Sequence, residues 1–475
     1  MKPYCLFFLV LLFKLPGKLQ AQNVGIGTNT PHNSAILDVQ STSKGVSLPM
    51  MTSLQRMAIA SPKTGLLVFD TDRNTIYMFD GGQWLALLFT PVSTNIPPLI
   101  RTASDAAVGD QFGWSVAMSG DYAIIGAPYD NTGANTNQGC AYIFLRNGSN
   151  WTEQAKLLAS DGAAGDLFGY SVSISGNYAI VGAYEDGTEA GSAYIFIRSG
   201  TSWTQQAKLL PSNPATGNRF GFSVSISGDY AVIGAPNDDI GANTEEGSAY
   251  FFGRSGTVWT QIDNVVAPTG EASDHFGFSV SISGDYAVIG AKDDDVGALV
   301  DKGSAHVFLR SGNNWGYQFH LIGANNNEDD QFGYSVAIDS NYIVVGAPLA
   351  HSYGGSNATI FIRNGITWTQ QGLLLASPMV FSAPVNNFGV SVAISGEYVL
   401  IGASYTMIGD NENQGAAYLY KRDGTDWIFV RRIDDATGTQ DSFMGASTAI
   451  SGLNCMVGAA SADALRGRVF FLNVE

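Results

Sequence analysis

Phe168-Gly-Tyr-Ser-Val-Ser-Ile-Ser-Gly-Asn-Tyr-Ala-Ile-Val-Gly-Ala183 decides the fold, because close copies of this stretch recur along the chain. Its first two residues return as Phe112-Gly113, Phe220-Gly221, Phe276-Gly277, Phe332-Gly333 and Phe388-Gly389, and loosely as Phe443-Met444-Gly445. The spacings are 56, 52, 56, 56, 56 and, counted to Phe443, 55 residues. A period of that length filled with short strands marks a propeller or an array of like modules. Inside one copy, Ser171-Val-Ser-Ile-Ser175 alternates and so has one apolar face, whereas Tyr178-Ala-Ile-Val181 is expected to be covered on both faces. Gly176-Asn177 reads as the tight hairpin between them. Gly191-Ser-Ala-Tyr-Ile-Phe-Ile197 supplies a third strand, Ser199-Gly200 a turn, and Trp203-Thr-Gln-Gln-Ala-Lys-Leu-Leu210 a fourth. Four antiparallel strands per repeat make one propeller blade.

The last repeat stops at Arg468-Val-Phe-Phe-Leu-Asn-Val-Glu475, which corresponds only to a third strand. The missing strand appears ahead of the first repeat, where Leu99-Ile-Arg-Thr-Ala-Ser-Asp105 matches the ending Leu157-Leu-Ala-Ser-Asp161. The expectation is an all-β, seven-bladed β-propeller of four-stranded antiparallel blades. In it the N-terminal strand closes the ring and leaves no orphan edge.

The 475 residues are 45% hydrophobic and 14% charged, with 56 glycines, as suits a turn-rich β protein. A formal net charge of −17 argues against nucleic acid and anionic membranes, which need clustered Lys and Arg, and favours cationic or metal-bridged partners. Residues 1–21 read as a secretory signal, with Lys2, an apolar core from Leu6 to Phe13 and Leu19-Gln20-Ala21 as cleavage site; the apolar run is too short to span a bilayer. Cys5 precedes that core, so lipid anchoring has little support, and the expected protein is exported. Cys140 and Cys455 replace small residues of the repeat and read as buried thiols. A disulfide across a closed ring is disfavoured, since the two belong to strands running in opposite directions.

Residues 22–90 do not share the repeat, which occupies 91–475. They contain Val24-Gly-Ile-Gly-Thr28, Ser34-Ala-Ile-Leu-Asp-Val39, Leu48-Pro-Met-Met-Thr52, Gln55-Arg56 and Tyr77-Met-Phe-Asp-Gly-Gly-Gln-Trp84. These blocks resemble the N-terminal segment of exported Bacteroidota surface proteins, some of them similar to phage tail-fibre stalks. The resemblance implies an attachment or oligomerisation segment. Leu66-Leu-Val-Phe-Asp70 and Thr75-Ile-Tyr-Met-Phe79 predict a small hairpin.

The repeat itself resembles the FG-GAP family, the propeller unit of integrin α subunits, with Gly126-Ala-Pro128, Gly234-Ala-Pro236 and Gly346-Ala-Pro348 as the second half of its name. In the integrin form a calcium loop lies between the first two strands. Here that place holds only Ser119-Gly-Asp121, Ser175-Gly-Asn177 and equivalents, too short to surround a cation that takes six to eight oxygens. Integrin calcium sites are therefore not carried over.

In an antiparallel blade the 1–2 and 3–4 turns share one rim and the 2–3 and 4–1 connections the other. The first rim carries short turns with Asp121, Asp229, Asp285 and Glu397 beside Arg146, Arg198, Arg254, Arg310 and Arg363, and is read as structural ion pairs. The second carries long acidic loops, where function concentrates. Candidate ligand or metal residues there are Asp130, Asn237, Asp239, Asn243, Glu245, Asp293, Asp295, Asp301, Asp410 and Glu412. Oxygen donors at alternate positions suit calcium, whereas the competing reading is a row of solvated turns in which Asp and Asn serve backbone geometry.

No catalytic motif appears, and His32, His275, His306, His320 and His351 show no paired ligand spacing. The Ser after each Phe-Gly-x recurs in every repeat and so marks a fold position, as do the recurrent tryptophans, read as outer-strand packing with sugar stacking the weaker reading. Three functions stay open: an exported non-enzymatic module binding an extracellular protein or glycan, a polysaccharide hydrolase or lyase using loop carboxylates, and a display platform.

Overall fold

A computed structural model describes residues 24–26, 37–39, 41, 46–71, 75–82, 84–87, 98–324, 327–350, 355–376 and 386–474. The expected leader, 1–21, lies outside them. The chain forms two compact units, Met1–Pro91 and Val92–Glu475. Among the described residues no helix is long and apolar enough to cross a membrane.

In the first unit, strand Val24–Ile26 pairs in parallel with Leu37–Val39. Met50–Met51 pairs in parallel with Leu67–Asp70, which continues as an antiparallel meander through Thr75–Phe79 and Trp84–Leu87, so the expected hairpin is present. A one-turn helix, Ser53–Met57, starts with a capping box between Thr52 and Gln55. It delivers Arg56 to the fully buried Asp70 at 2.9 Å, with the guanidinium 3.8 Å over the Tyr77 ring. Three of the sequence blocks thus meet in one buried ion pair.

Among the described residues the second unit contains seven four-stranded antiparallel sheets. Sheet 1 comprises Ser115–Ser119, Tyr122–Ala127, Cys140–Asn147 and Asn150–Leu157, and sheet 2 comprises Ser171–Ser175, Tyr178–Ala183, Ser192–Ser199 and Ser202–Leu209. Sheets 3, 4, 5 and 6 repeat that order from inner strands Ser223–Ser227, Phe276–Ser283, Ser335–Asp339 and Phe388–Ser395. Sheet 7 is Ser447–Ser451, Asn454–Ala459 and Arg468–Asn473, with Leu99–Arg101 as its fourth strand, pairing Phe471 with Leu99 and Val469 with Arg101.

Burial follows the periodicities. Along Ser171–Ser175 only Val172 and Ile174 are buried, whereas Tyr178–Ala183 is buried from Ala179 onward. Each core lies between consecutive sheets, as where Ile124, Ile143 and Leu157 pack on Phe168, Val181 and Tyr194. Sheet 7 packs on sheet 1 in the same way, with Met456, Val469 and Phe471 against Phe112, Ile125 and Tyr142. In the seventh repeat Met444, fully buried, takes the place of the Phe in the other six. The aligned spacing from Phe388 is therefore 56 rather than 55, and Phe443 is displaced to contact Tyr405.

The recurrent serines find their partners here. Ser115 Oγ donates to the Gly169 carbonyl at 2.8 Å, and Ser171, Ser223, Ser279, Ser335 and Ser391 each donate to the Phe-Gly (or Met-Gly) glycine of the next repeat. The seventh, Ser447, donates to Gly113 of the first sheet at 2.8 Å. The approach is tight enough that a Cβ on Gly126 would overlap the Gly169 carbonyl oxygen, and the same holds at Gly234 against Gly277.

The tryptophans lie between sheets, as expected of packing residues. Trp151 stacks on Phe471 at 4.5 Å and Trp315 on Phe251 at 4.2 Å, and Trp203, Trp259 and Trp368 donate Nε1 to a glutamine of the preceding outer strand. Cys140 and Cys455 are buried free thiols in two different cores.

The pairing of Leu99–Arg101 gives a direct test. A chain starting at Ala107 leaves Val469–Phe471 unpaired and removes Arg101, whose Nε donates to Trp151 O at 2.8 Å. It should be less stable by about 2–4 kcal/mol than a chain starting at Asn95, and more prone to aggregate. Equal melting temperatures would show that this strand does not hold sheet 7.

Candidate functional site

The short-turn rim is tied down by its own charges. Arg146, Arg254, Arg310 and Arg422 pair with Asp121, Asp229, Asp285 and Glu397 of the adjacent hairpin. Arg198, Arg254, Arg310 and Arg363 also lie 4.2–4.5 Å over tyrosines of the preceding sheet, so this rim joins neighbours together.

On the opposite rim the acidic residues divide by role. One set caps backbone: Asp110, Asp166, Asp274 and Asp330 are buried and accept the N–H three residues earlier at 2.6–2.7 Å. Burial raises the carboxyl pKa of Asp110, Asp166 and Asp274, the last to about 7 with the charges of Asp294, Glu271 and Asp295 adding.

A second set forms a polar well under the 2–3 loop of each early sheet. In sheet 1, Tyr142 Oη donates to Asp105 at 2.6 Å and to Asp130 at 3.1 Å, and Lys156 Nζ bridges the same carboxylates at 2.8 and 2.9 Å. Asp130 is thus buried and paired. In sheet 2, Lys208 bridges Asp161 and Asp186 at 2.7 and 2.6 Å, and Tyr194 Oη donates to Asp186 at 2.9 Å. In sheet 3 an Asn stands in place of Lys, and Asp238 instead receives Tyr250, Asn218 and Ser248. Burial alone would raise the Asp186 carboxyl, but the hydrogen bonds from Lys208, Ser192 and Tyr194 outweigh it and hold it below the ordinary value.

The remaining candidates differ: some bond within their own loop, some reach a neighbouring 4–1 connection, and two are exposed. Asp239 Oδ1 accepts the Glu245 N–H and Asp295 Oδ1 accepts the Asp301 N–H, both at 2.9 Å. Asn237 Nδ2 donates to Glu245 at 2.8 Å, and Asn243 Nδ2 donates to Glu246 and to the Gly270 carbonyl. Asp293 receives Lys292 and Gln331 Nε2, with His275 Nδ1 at 2.8 Å. Burial, then the charges of Asp293, Asp295 and Asp329, raises the Asp301 carboxyl. Asp410 and Glu412 are exposed. Loop stapling is what the structure shows for Asp239 and Asp295.

Sheet 4 brings together what the sequence left apart. His306 and His320 stand opposite each other across the third and fourth strands, rings stacked at 4.6 Å and 14°, beside the buried Asp294. Their Nε2 atoms lie 3.9 and 3.6 Å from Asp294 Oδ2. Burial, then the neighbouring His320, lowers the His306 pKa well below the ordinary imidazole value.

The same rim carries a belt of aromatic rings from the residue after each Phe-Gly. Trp114, Tyr170, Phe222, Phe278 and Tyr334 follow one another from sheet to sheet at 5.0–5.4 Å, each half-buried. Tyr129 and Tyr184 extend it outward, and Arg219 and Lys292 lie over Tyr184 and Phe278. Exposed apolar side chains gather on this rim as well, at Val108, Val300, Tyr405, Met407 and Leu465. The belt escaped the sequence reading because its residue type varies from repeat to repeat, although its fixed place after Phe-Gly was available as a signal.

Residues 102–144, 151–196, 203–252, 259–308, 315–359 and 368–420, more than half of the chain, match the FG-GAP repeat. The chain belongs to the FG-GAP repeat family. From the second match on, each runs from the outer strand of one sheet to the third strand of the next, and the first starts just after Leu99–Arg101, so the unit of sequence is offset by one strand from the unit of structure. Residues 25–97 match the phage tail like trimerisation region. No curated protein matches the chain.

The polar wells of these FG-GAP repeats are testable through Lys208. Replacing it by Met leaves two carboxylates facing each other without a cation, and should cost about 1–3 kcal/mol near neutral pH, toward the low end because Asp161 is half exposed. Asp161 and Asp186 titrate below the ordinary value in the folded protein. Their stabilisation is therefore complete above about pH 4 and lost as pH falls through the depressed values. The melting-temperature gap between wild type and Lys208→Met should narrow below about pH 4. A gap that is constant with pH would place the lysine's contribution outside this network.

Proposed function

We propose that this protein is an exported, non-enzymatic binding module: a seven-bladed, closed FG-GAP propeller that presents its long-loop rim to an extracellular protein or glycan. The observation that carries the reading is the aromatic belt with its flanking cations and carboxylates on the rim of long loops. Aromatic faces beside hydrogen-bonding groups suit sugar rings and protein side chains alike. Support for ring closure comes from the bond of Ser447 to Gly113, the shared core of sheets 7 and 1, and the strand Leu99–Arg101. Export is supported by the leader-like residues 1–21 and by FG-GAP membership. The non-enzymatic reading is supported by the repeated structural roles of the buried acids, which cap turns or neutralise one another's partners.

The match to a trimerisation region supports assembly of three chains through residues 25–97, which would set three binding rims on one particle. Three linked sites raise apparent affinity by avidity without any new contact, by about 10²–10⁴-fold where the geometry permits.

The test is a screen of the chain lacking residues 1–21 against glycans and extracellular proteins, with calcium and with chelator, alongside its mass in solution. A trimer is expected. Tyr184→Ala with Lys292→Ala should weaken the ligand found at least tenfold without shifting the melting temperature by more than a few degrees, while Asp229→Asn with Arg254→Gln on the other rim should leave binding intact. The opposite pattern would move the site to the short-turn rim, and turnover of a polysaccharide would replace the binding reading with an enzymatic one. Binding or melting that depends on calcium would return the acidic loops to the site.

A further inference from the structure

Sheet 4 departs from its neighbours at positions that meet in space. In sheets 1 and 2 the well holds an Asp, a Tyr on the third strand and a Lys on the fourth; in sheet 4 the same places hold Asp294, His306 and His320. The Lys that neutralises Asp130 and Asp186 is therefore missing under Asp294, and the nearby Lys292 is spent on Asp293. The Asp294 carboxylate accepts no hydrogen bond from any described residue, although Asp294 is only 6% exposed. His306 Nδ1 and His320 Nε2 are likewise buried without a hydrogen-bond partner. The acids of the wells in sheets 1, 2 and 3 are hydrogen-bonded; this one holds an unneutralised acid facing two imidazoles.

We propose that Asp294, His306 and His320 form a binding site for a borderline divalent transition-metal ion of the zinc class. One donor atom from each of the three lies within 4.8 Å of the other two, the one such group among the described residues. A tetrahedral zinc ion with bonds of about 2.0–2.1 Å places its donors about 3.3 Å apart, so small side-chain rotations close the trio. Ser304 Oγ, 3.0 Å from His306 Nε2, turns aside to release that nitrogen. Two imidazoles and a carboxylate favour zinc, nickel or copper over calcium, which takes only oxygen. The ion replaces the lysine's charge and pins the loop bearing Asp294 to both strands. His320 is the partly exposed member, so the fourth position opens toward the long-loop rim and takes water or a donor from a partner.

The experiment uses the full mature chain, stripped with chelator and titrated with Zn(II) by calorimetry and with Co(II) by visible absorption. The expected result is one ion per chain in this site, Co(II) bands of a four- or five-coordinate centre, and a melting temperature raised by Zn(II) and restored by chelator. His306→Tyr with His320→Lys rebuilds the trio of sheets 1 and 2, so it should fold and lose that ion and those bands. His320→Lys alone, at the partly exposed ligand, gives the same loss should the double substitution disturb folding. Absence of stoichiometric Zn(II) or Co(II) uptake by wild type overturns the proposal, as does uptake unchanged in the folded variants, including uptake at histidines elsewhere in the chain.

Discussion

The fold depends on how closely one inner strand approaches the next. Each repeat sends a serine hydroxyl to the Phe-Gly (or Met-Gly) glycine carbonyl of its successor, and the second-strand glycine beside it leaves no room for a Cβ. That contact fixes the spacing between sheets near their inner edges, where four-stranded sheets crowd most. The buried Phe of each Phe-Gly then seats against the third-strand ring of its own sheet, as Phe112 does on Tyr142 and Phe168 on Tyr194. The repeat's two names thus describe two sides of one joint: a glycine to be approached and a glycine to do the approaching.

Farther out the repeat tolerates more. The well under each 2–3 loop is Asp, Tyr and Lys in sheets 1 and 2, and Thr406, Tyr418 and Arg432 in sheet 6. It is apolar in sheet 7, with Ala462, Phe470 and Ile100, and nearly so in sheet 5, with Ala350, Thr359 and Leu373. A buried polar network is stable when its members are satisfied, and an apolar filling is stable without any. Sheet 4 fits neither solution, since its carboxylate accepts no hydrogen bond from a described residue and His306 Nδ1 and His320 Nε2 are buried without a partner.

The two rims follow from the same economy of contacts. Short hairpins hold arginines close enough to pair within a sheet and to cover a tyrosine of the preceding one, so that rim is consumed by joining neighbours. The long loops satisfy their own polar groups, as Asp239 does for Glu245 and Asp295 for Asp301, and leave the aromatic belt and several apolar side chains toward solvent.

Periodicity is a local property of the chain, so the sequence by itself determined the all-β class, the four strands of each sheet, the hairpin at Gly176-Asn177, the split into two rims and the homeless strand at Leu99. It also marked the serines and tryptophans as fold positions, because recurrence needs no knowledge of partners. The seventh repeat was misaligned by one residue, since Phe443 offered the expected letter while Met444 had the buried place. Nothing local shows that Lys156 and Tyr142 converge on Asp130. Only the tertiary structure decided that His306 meets His320. Between Val307 and Phe308 the strand pair shifts by a bulge, and the shift puts His320 rather than Phe319 opposite His306. A bulge exchanges which side chains share a face, and no spacing rule in the sequence records it.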